Sequence, residues 1–378
     1  MSTAVITAWS AVSPYGTGRD PLAAGLRARA GAPASAGPEE WTADPDATAR
    51  VVPGFEVRDA LGKAGTRGMD RLTGLTAVTV RELLSGIVPA GADGTAGRDG
   101  PNGSDGSDGS DGSDGALGTG LVLGIASGSV QGFMEFTKAS LEGASPIDVP
   151  PSKTPNMAMN RAASASAIRH RLKGPNTTVA AGRLSGLVAL DQARRLLADG
   201  HAQRVLTGSA EEYSAARAHL THAAHGTGVV LGEGCVMVLL EPGDAAAGEP
   251  LAEVLAVHHR VAPDGGFAGA LTAAVHAALA EAGVAAGDVW AAVPGHAPGT
   301  AGEQELRVHE ELFPAEVRSR AASVALLGET AAATGAYQLA ALLSEPGEPG
   351  RVALVTTTDP DGPVGCAVLR LLTDGADA

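Results

Sequence analysis

The sequence predicts an α/β protein in which strands and helices alternate through two successive halves. Short apolar runs rich in β-branched residues recur along the chain, bounded by Gly, Pro and polar residues. In the first half these are Val5-Ile6-Thr7, 120–124, Thr178-Val179 and Val205-Leu206; in the second, 251–255, 289–293, 352–355 and 365–370. Between them lie helical stretches, of which 270–282 and 331–343 are Ala-rich and Gly-flanked, suited to close packing between layers. With 378 residues, 44% hydrophobic and 3% aromatic, the chain can bury a sizeable core of Ala, Val and Leu. The division is expected near Glu241, giving units 1–241 and 242–378.

Segment 91–115 ends in a Ser-Asp-Gly repeat with no aliphatic or aromatic residue from 101 to 115. Such a chain cannot bury enough surface to order itself, so a disordered insertion is expected. The aspartates among glycines do not match a calcium-binding nonapeptide repeat. The most telling segment is Val179-Ala180-Ala181-Gly182-Arg183-Leu184-Ser185-Gly186-Leu187, where a β-branched run passes through small residues into a helix expected over 187–199. A strand turning sharply into a helix presents one side chain at the helix N-terminus, where the positive potential favours a thiolate. Here that side chain is arginine, which is no nucleophile.

Several segments together carry a family resemblance: the start at 4–16, Gly174-Pro175-Asn176, the elbow, 202–211, and Gly232-Glu233-Gly234 followed by the strand 235–241. In that order they resemble a β-ketoacyl synthase, and more specifically the non-condensing chain-length factor of type II polyketide synthases. The resemblance implies a thiolase-like fold of five layers, αβαβα, with two pseudo-symmetric halves. It implies no cofactor and no metal ion.

Carried over residue by residue, the family's condensing cysteine falls on Arg183. Its first histidine falls on His296, in an altered turn, Gly295-His296-Ala297-Pro298-Gly299-Thr300. Its second falls on Glu329, in Gly328-Glu329-Thr330, and its lysine on Val324. The glycine-rich closing loop is reduced to Asp361-Gly362-Pro363-Val364-Gly365. Claisen condensation needs a thiolate to hold the acyl chain and neutral histidines to polarise the malonyl thioester. One histidine remains, so a chain unable to condense by itself is expected. Arg183 has two readings: a structural plug, or a binder of a carboxylate or phosphate.

Residues 126–137 contain Phe133, Met134 and Phe136. In chain-length factors this stretch lies at the dimer interface and lines the tunnel, so these side chains are read either as gates of chain length or as ordinary interface core. The resemblance further implies a catalytic ketosynthase subunit as partner. It also implies an acyl carrier protein bearing malonyl or acyl groups, engaged mainly through that partner.

Other histidines are weaker signals. His225-Gly226-Thr227-Gly228 spells the family's histidine motif but precedes the Gly-Glu-Gly segment, and is read as a surface loop entering a strand. His219, His222 and His225 recur every third residue without a carboxylate or cysteine at ligand spacing, and are read as a solvated loop. Cys235 and Cys366 lie in apolar runs and are read as inert core thiols. A net charge of −15 argues against nucleic-acid binding and against attraction of an acidic carrier over the whole surface, leaving a local basic patch or the partner subunit to bind it. No signal peptide opens the chain and no 18-residue apolar stretch occurs, so a cytoplasmic protein off the membrane is expected. The 52 glycines and four lysines suit a GC-rich bacterial source such as an actinomycete. The competing functional readings are a malonyl decarboxylase or divergent active synthase, and a purely structural partner.

Overall fold

The computed structural model describes residues 3–33, 35–36, 48–87, 118–149, 151–226 and 228–375. The expected insertion at 91–115 therefore lies outside the described residues. The long strands are β1 (Ala4–Ser13), β2 (Thr119–Ile125), β3 (Asn176–Ala180), β4 (Arg204–Glu211), β5 (Gly234–Pro242), β6 (Ala252–Val261), β7 (Val289–Val293), β8 (Val352–Thr358) and β9 (Pro363–Leu371). The helices that matter below are α1 (Arg71–Ile87), α2 (Val130–Glu142), α3 (Arg161–Arg169), α4 (Ser185–Ala198), α5 (Ala215–His225), α6 (Phe267–Ala282), α7 (Thr300–Leu312) and α8 (Thr334–Ser344).

Among the described residues these strands join in the order β7-β8-β9-β6-β1-β5-β4-β2-β3. The order repeats itself. In the first half β2 and β4 are parallel, then β5 and β1 follow antiparallel. In the second half β7 and β8 are parallel, then β9 and β6 follow antiparallel. The two halves meet where β1 and β6 pair antiparallel at Val5↔Glu253 and Ile6↔Ala252.

Strand periodicity sorts the apolar residues into layers, because successive side chains point to opposite faces. In β5, Cys235, Met237 and Leu239 face the outer core under α1 and α3, while Val236, Val238 and Leu240 face the central core. In β9, Val364, Cys366 and Val368 join the second outer core under α6 and α7, while Ala367, Leu369 and Leu371 face the centre. Strands covered on both faces read as continuous apolar runs. The central layer is α4 and α8, contributing Leu187, Leu190, Leu339 and Leu342. Every residue of α8 is buried. The two helices approach at paired glycines: a Cβ on Gly186 would lie 3.0 Å from the Ala336 nitrogen, and one on Gly335 3.2 Å from Leu187 Cδ2. Helix, sheet, helix, sheet, helix is the five-layer order anticipated above.

Some local expectations need correction. The helix after the elbow begins at Ser185 rather than Leu187, after a 3₁₀ turn, Gly182–Leu184. The stretch expected as one helix over 331–343 starts as a 3₁₀ turn, Ala331–Ala333, before α8. His219, His222 and His225 lie on α5, not in a loop: Ser214 caps that helix by accepting from the Arg217 N–H at 3.2 Å.

Candidate functional site

The elbow is built by β3, the 3₁₀ turn and α4. Gly182 sits at φ +55°, and a methyl group there would collide with the Asp359 carboxylate, so both conformation and space call for glycine. Ser185 fixes the turn: its Oγ accepts from the Ala181 N–H at 2.9 Å and lies 2.7 Å from the Ile125 and Gly182 carbonyl oxygens.

Arg183 is 4% exposed, and acceptors from three chain segments converge on it. Its main-chain N–H donates to Asp359 Oδ2 at 2.7 Å, Nε donates to the Thr358 carbonyl at 3.1 Å, and Nη2 donates to the Gly295 carbonyl at 2.6 Å. Nη1 forms an ion pair with Glu329 Oε1, which also accepts from the Ala331 N–H at 2.9 Å. The plug reading therefore describes the geometry: the guanidinium is spent on internal acceptors.

His296 occupies the neighbouring turn at φ +55°. Glu305, fully buried on α7, holds that turn by accepting from the Gly295 and His296 N–H groups, each at 3.0 Å. Thr356 Oγ1 donates to the same carboxylate at 2.6 Å, and His309 Nε2 lies 2.7 Å from that hydroxyl. His296 Nε2 is 2.9 Å from Ser323 Oγ, and burial together with the nearby Arg183 charge lowers its pKa, favouring neutral imidazole. Val324, one residue on, is buried and apolar. Thus Arg183, His296, Val324 and Glu329 do converge. What they lack is a nucleophile: Cys235 and Cys366 are buried in β5 and β9, where burial pushes each thiol up to about 12.

The residues match a known frame. The family model for the β-ketoacyl synthase N-terminal domain matches residues 1–246. The chain belongs to the β-ketoacyl synthase family. A solved chain of the ishigamide ketosynthase/chain length factor is 45% identical, with 98% of this chain and 100% of that one covered and a TM-score of 0.86. A β-ketoacyl synthase from Burkholderia phymatum STM815 is 20% identical over 99% of this chain and 100% of that one, with a TM-score of 0.77. By sequence, 3-oxoacyl-[acyl-carrier-protein] synthase 2 of Rhizobium meliloti (strain 1021) is 29% identical over 203 residues, 46% of this chain. That match spans 48% of the synthase's own length. The layered fold is the thiolase-like ketosynthase fold.

In this family member a cavity of about 360 Å³ opens in front of the elbow, lined by Ser127, Arg183, Glu329, Asp361 and, unexpectedly, His225. The motif set aside as a surface loop thus brings its histidine to the mouth of the site from the end of α5; Thr227 lies outside the described residues. Among the described residues no group of three or more His, Cys, Asp or Glu is arranged to hold a metal ion.

Phe133 and Met134 on α2 are 60% and 36% exposed, and Phe136 is half-buried. The opposite face of α2, through Gln131, Gly132 and Glu135, lines a second cavity of about 380 Å³. Buried Glu212 and Tyr213, just past the end of β4, close it, and Glu135 pairs with Lys153 at its edge.

Sequence reasoning missed Asp359, Glu305, Ser323 and Arg217. Arg217, 7% exposed, donates to the carbonyls of Glu212 (2.9 Å), Gly232 (2.7 Å) and Glu329 (2.7 Å), locking the Glu329 turn to the segments that follow β4 and precede β5. Only Asp359 had a nearby signal, standing two residues before the reduced loop at Asp361.

Proposed function

We propose that this chain is a non-condensing chain-length factor. It pairs with a catalytic β-ketoacyl-ACP synthase subunit, which supplies the cysteine and both histidines. This chain supplies the other side of the interface and the far wall of the tunnel receiving the growing chain. Its two units, 1–241 and 242–378, form one body for that purpose. The single observation that carries the reading is the Arg183–Glu329 ion pair in the seat of the nucleophile. A site filled by its own charges can neither be acylated nor stabilise an enolate. The 45% identity to a chain of a ketosynthase/chain length factor assembly supports it further.

A malonyl decarboxylase would need a cation open to the substrate carboxylate, but the guanidinium of Arg183 is already engaged by Glu329 and two carbonyls. An active synthase would need a thiolate at the elbow. The exposed Phe133 and Met134 favour a shaping role over a merely structural one, since bulky groups facing the partner set the volume left for the acyl chain.

Co-expression with the cognate ketosynthase and assay of malonyl-carrier turnover on the complex and on each chain tests this. The reading expects a stoichiometric complex that alone makes product. A homodimer that condenses or releases CO2 unaided would replace it with an enzyme.

A further inference from the structure

Glu212 is 2% exposed, yet only half of its carboxyl is used. Oε2 accepts from the Leu72 N–H at 3.1 Å, whereas Oε1 has no hydrogen-bond partner among the described residues. The hydroxyl of the next residue, Tyr213, is likewise buried and unpartnered there. Both residues line the cavity of about 380 Å³ behind α2, and neither belongs to the lining of the cavity at Arg183. Buried polar atoms left in this state oppose folding unless something supplies the missing bond.

Glycine keeps this space open. Gly132 stands inside α2, where glycine disfavours helix. A Cβ there would lie 2.9 Å from Ser129 Oγ and 3.8 Å from Asn156 Cβ, both in lining residues, so a larger side chain would enter the cavity. Half-buried Phe136, one turn further on, stands between the cavity and the exposed face bearing Phe133. At the rim Glu135 pairs with Lys153 and accepts from Gln131 Nε2 at 3.1 Å. Both charged groups are partly exposed, and a pair in that setting is weak enough to part and admit a chain.

The lining selects what enters. Gly68, Met69, Gly132 and Ala215 give an alkyl chain an apolar wall. A carboxylate end group would meet Asp70, Glu135 and Glu212, and an ammonium would meet Arg71 and Lys153, with Arg161 near Asp70. A hydroxyl is neutral and both donates and accepts. Burial and the neighbouring Asp70 hold the Glu212 pKa well above the usual carboxylate range, and a hydroxyl satisfies that side chain whether it is protonated or not.

We propose that this cavity receives the distal end of the acyl chain and selects chains ending in a hydroxyl, which donates to Glu212 Oε1 and accepts from the Tyr213 hydroxyl. The proposal rests on the function put forward above, which brings an acyl chain to α2.

The test uses the assembled heterodimer and carrier-bound primers from hexanoyl to dodecanoyl, each ending either in a methyl or in an ω-hydroxyl. The ratio of kcat/KM for the two forms is measured for wild type, Glu212→Leu, Tyr213→Phe and Gly132→Leu. Wild type should favour the hydroxyl form by about tenfold or more at the lengths that reach the cavity. Glu212→Leu should abolish that preference and Tyr213→Phe should reduce it. Gly132→Leu should remove it by filling the cavity; leucine is the better helix former, so this variant answers the question even if Glu212→Leu folds poorly. A wild-type ratio near one at every length, or a ratio unmoved by Gly132→Leu, would overturn the site. Failure of the wild-type chain to form a heterodimer that makes product would count against the proposed function instead. Calorimetric titration of the isolated chain with dodecanoic acid and its ω-hydroxy form then decides the cavity alone: tighter binding of the hydroxy acid, lost in Gly132→Leu, supports the site, and equal binding refutes it.

Discussion

A guanidinium and a carboxylate withdrawn from water together are tolerated only when nearly every donor and lone pair finds a partner. Arg183 and Glu329 go some way toward that condition: each guanidinium nitrogen has an acceptor and Glu329 Oε1 accepts twice, with side chains 5% and 11% exposed. Arg183→Cys alone should therefore fail to restore condensation and should strand the Glu329 charge, costing about 3–5 kcal/mol of stability. The double change Arg183→Met/Glu329→Leu should cost less than Arg183→Met alone. Urea denaturation midpoints and a condensation assay check both, and activity in the single variant would refute the idea that Glu329 and Val324 also disable the site. His309 sets a pH dependence. Burial, with the nearby His296 and Arg318, lowers its pKa to about 3, below the free imidazole value, so the unfolded chain takes up the proton first. This contribution is fully present above the unfolded value of about 6.5 and declines as pH falls from there toward the folded value. His309→Gln should flatten the dependence of the denaturation midpoint across that window. An unaltered slope would assign it to other groups.

At the scale of elements, the strands were legible because runs apolar on both faces have few alternatives, and Val289–Val293 emerges with the very bounds read from sequence. Helix starts were less so: Ser185 and Thr334 begin their helices after 3₁₀ turns shaped by packing against the opposite half. α5 was missed as a helix because its His- and Ala-rich run has no clear apolar stripe. The glycine contact between α4 and α8 is a packing requirement. Gly335→Val should press on Leu187 and lower stability by about 1–3 kcal/mol, measured on the isolated chain. Phe133→Ala should behave oppositely. Its 60% exposure leaves the isolated chain's stability within about 0.5 kcal/mol, while the complex should release longer products. Unchanged product lengths would remove Phe133 from any gating role.

Across the whole molecule, exposed apolar side chains gather on and beside α2: Phe133, Met134, Leu141, Ile147 and Met159. Monomeric proteins rarely leave such a surface uncovered. Hydrogen exchange should slow across 130–147 when the ketosynthase binds and remain unchanged in α6, on the far outer layer. Protection of α6 instead would place the partner elsewhere. Among the described residues no helix is long and apolar enough to cross a membrane. The sequence by itself determined the alternating α/β class, the arginine at the strand-to-helix elbow and the apolar setting of both cysteines. Those follow from residue identity and local periodicity, which travel with the chain, whereas reading Arg183 as standing in a nucleophile's place came from the family resemblance. Only the tertiary structure decided between a plug and an anion site at Arg183, placed His225 at the cavity mouth, and closed the cavity behind α2 with Glu212 and Tyr213. Each of these depends on groups distant in sequence meeting in space, as Arg183 and Glu329 do across 146 positions. No local pattern encodes such a meeting, because it is the packing of α4 against α8 that brings the two charges within reach.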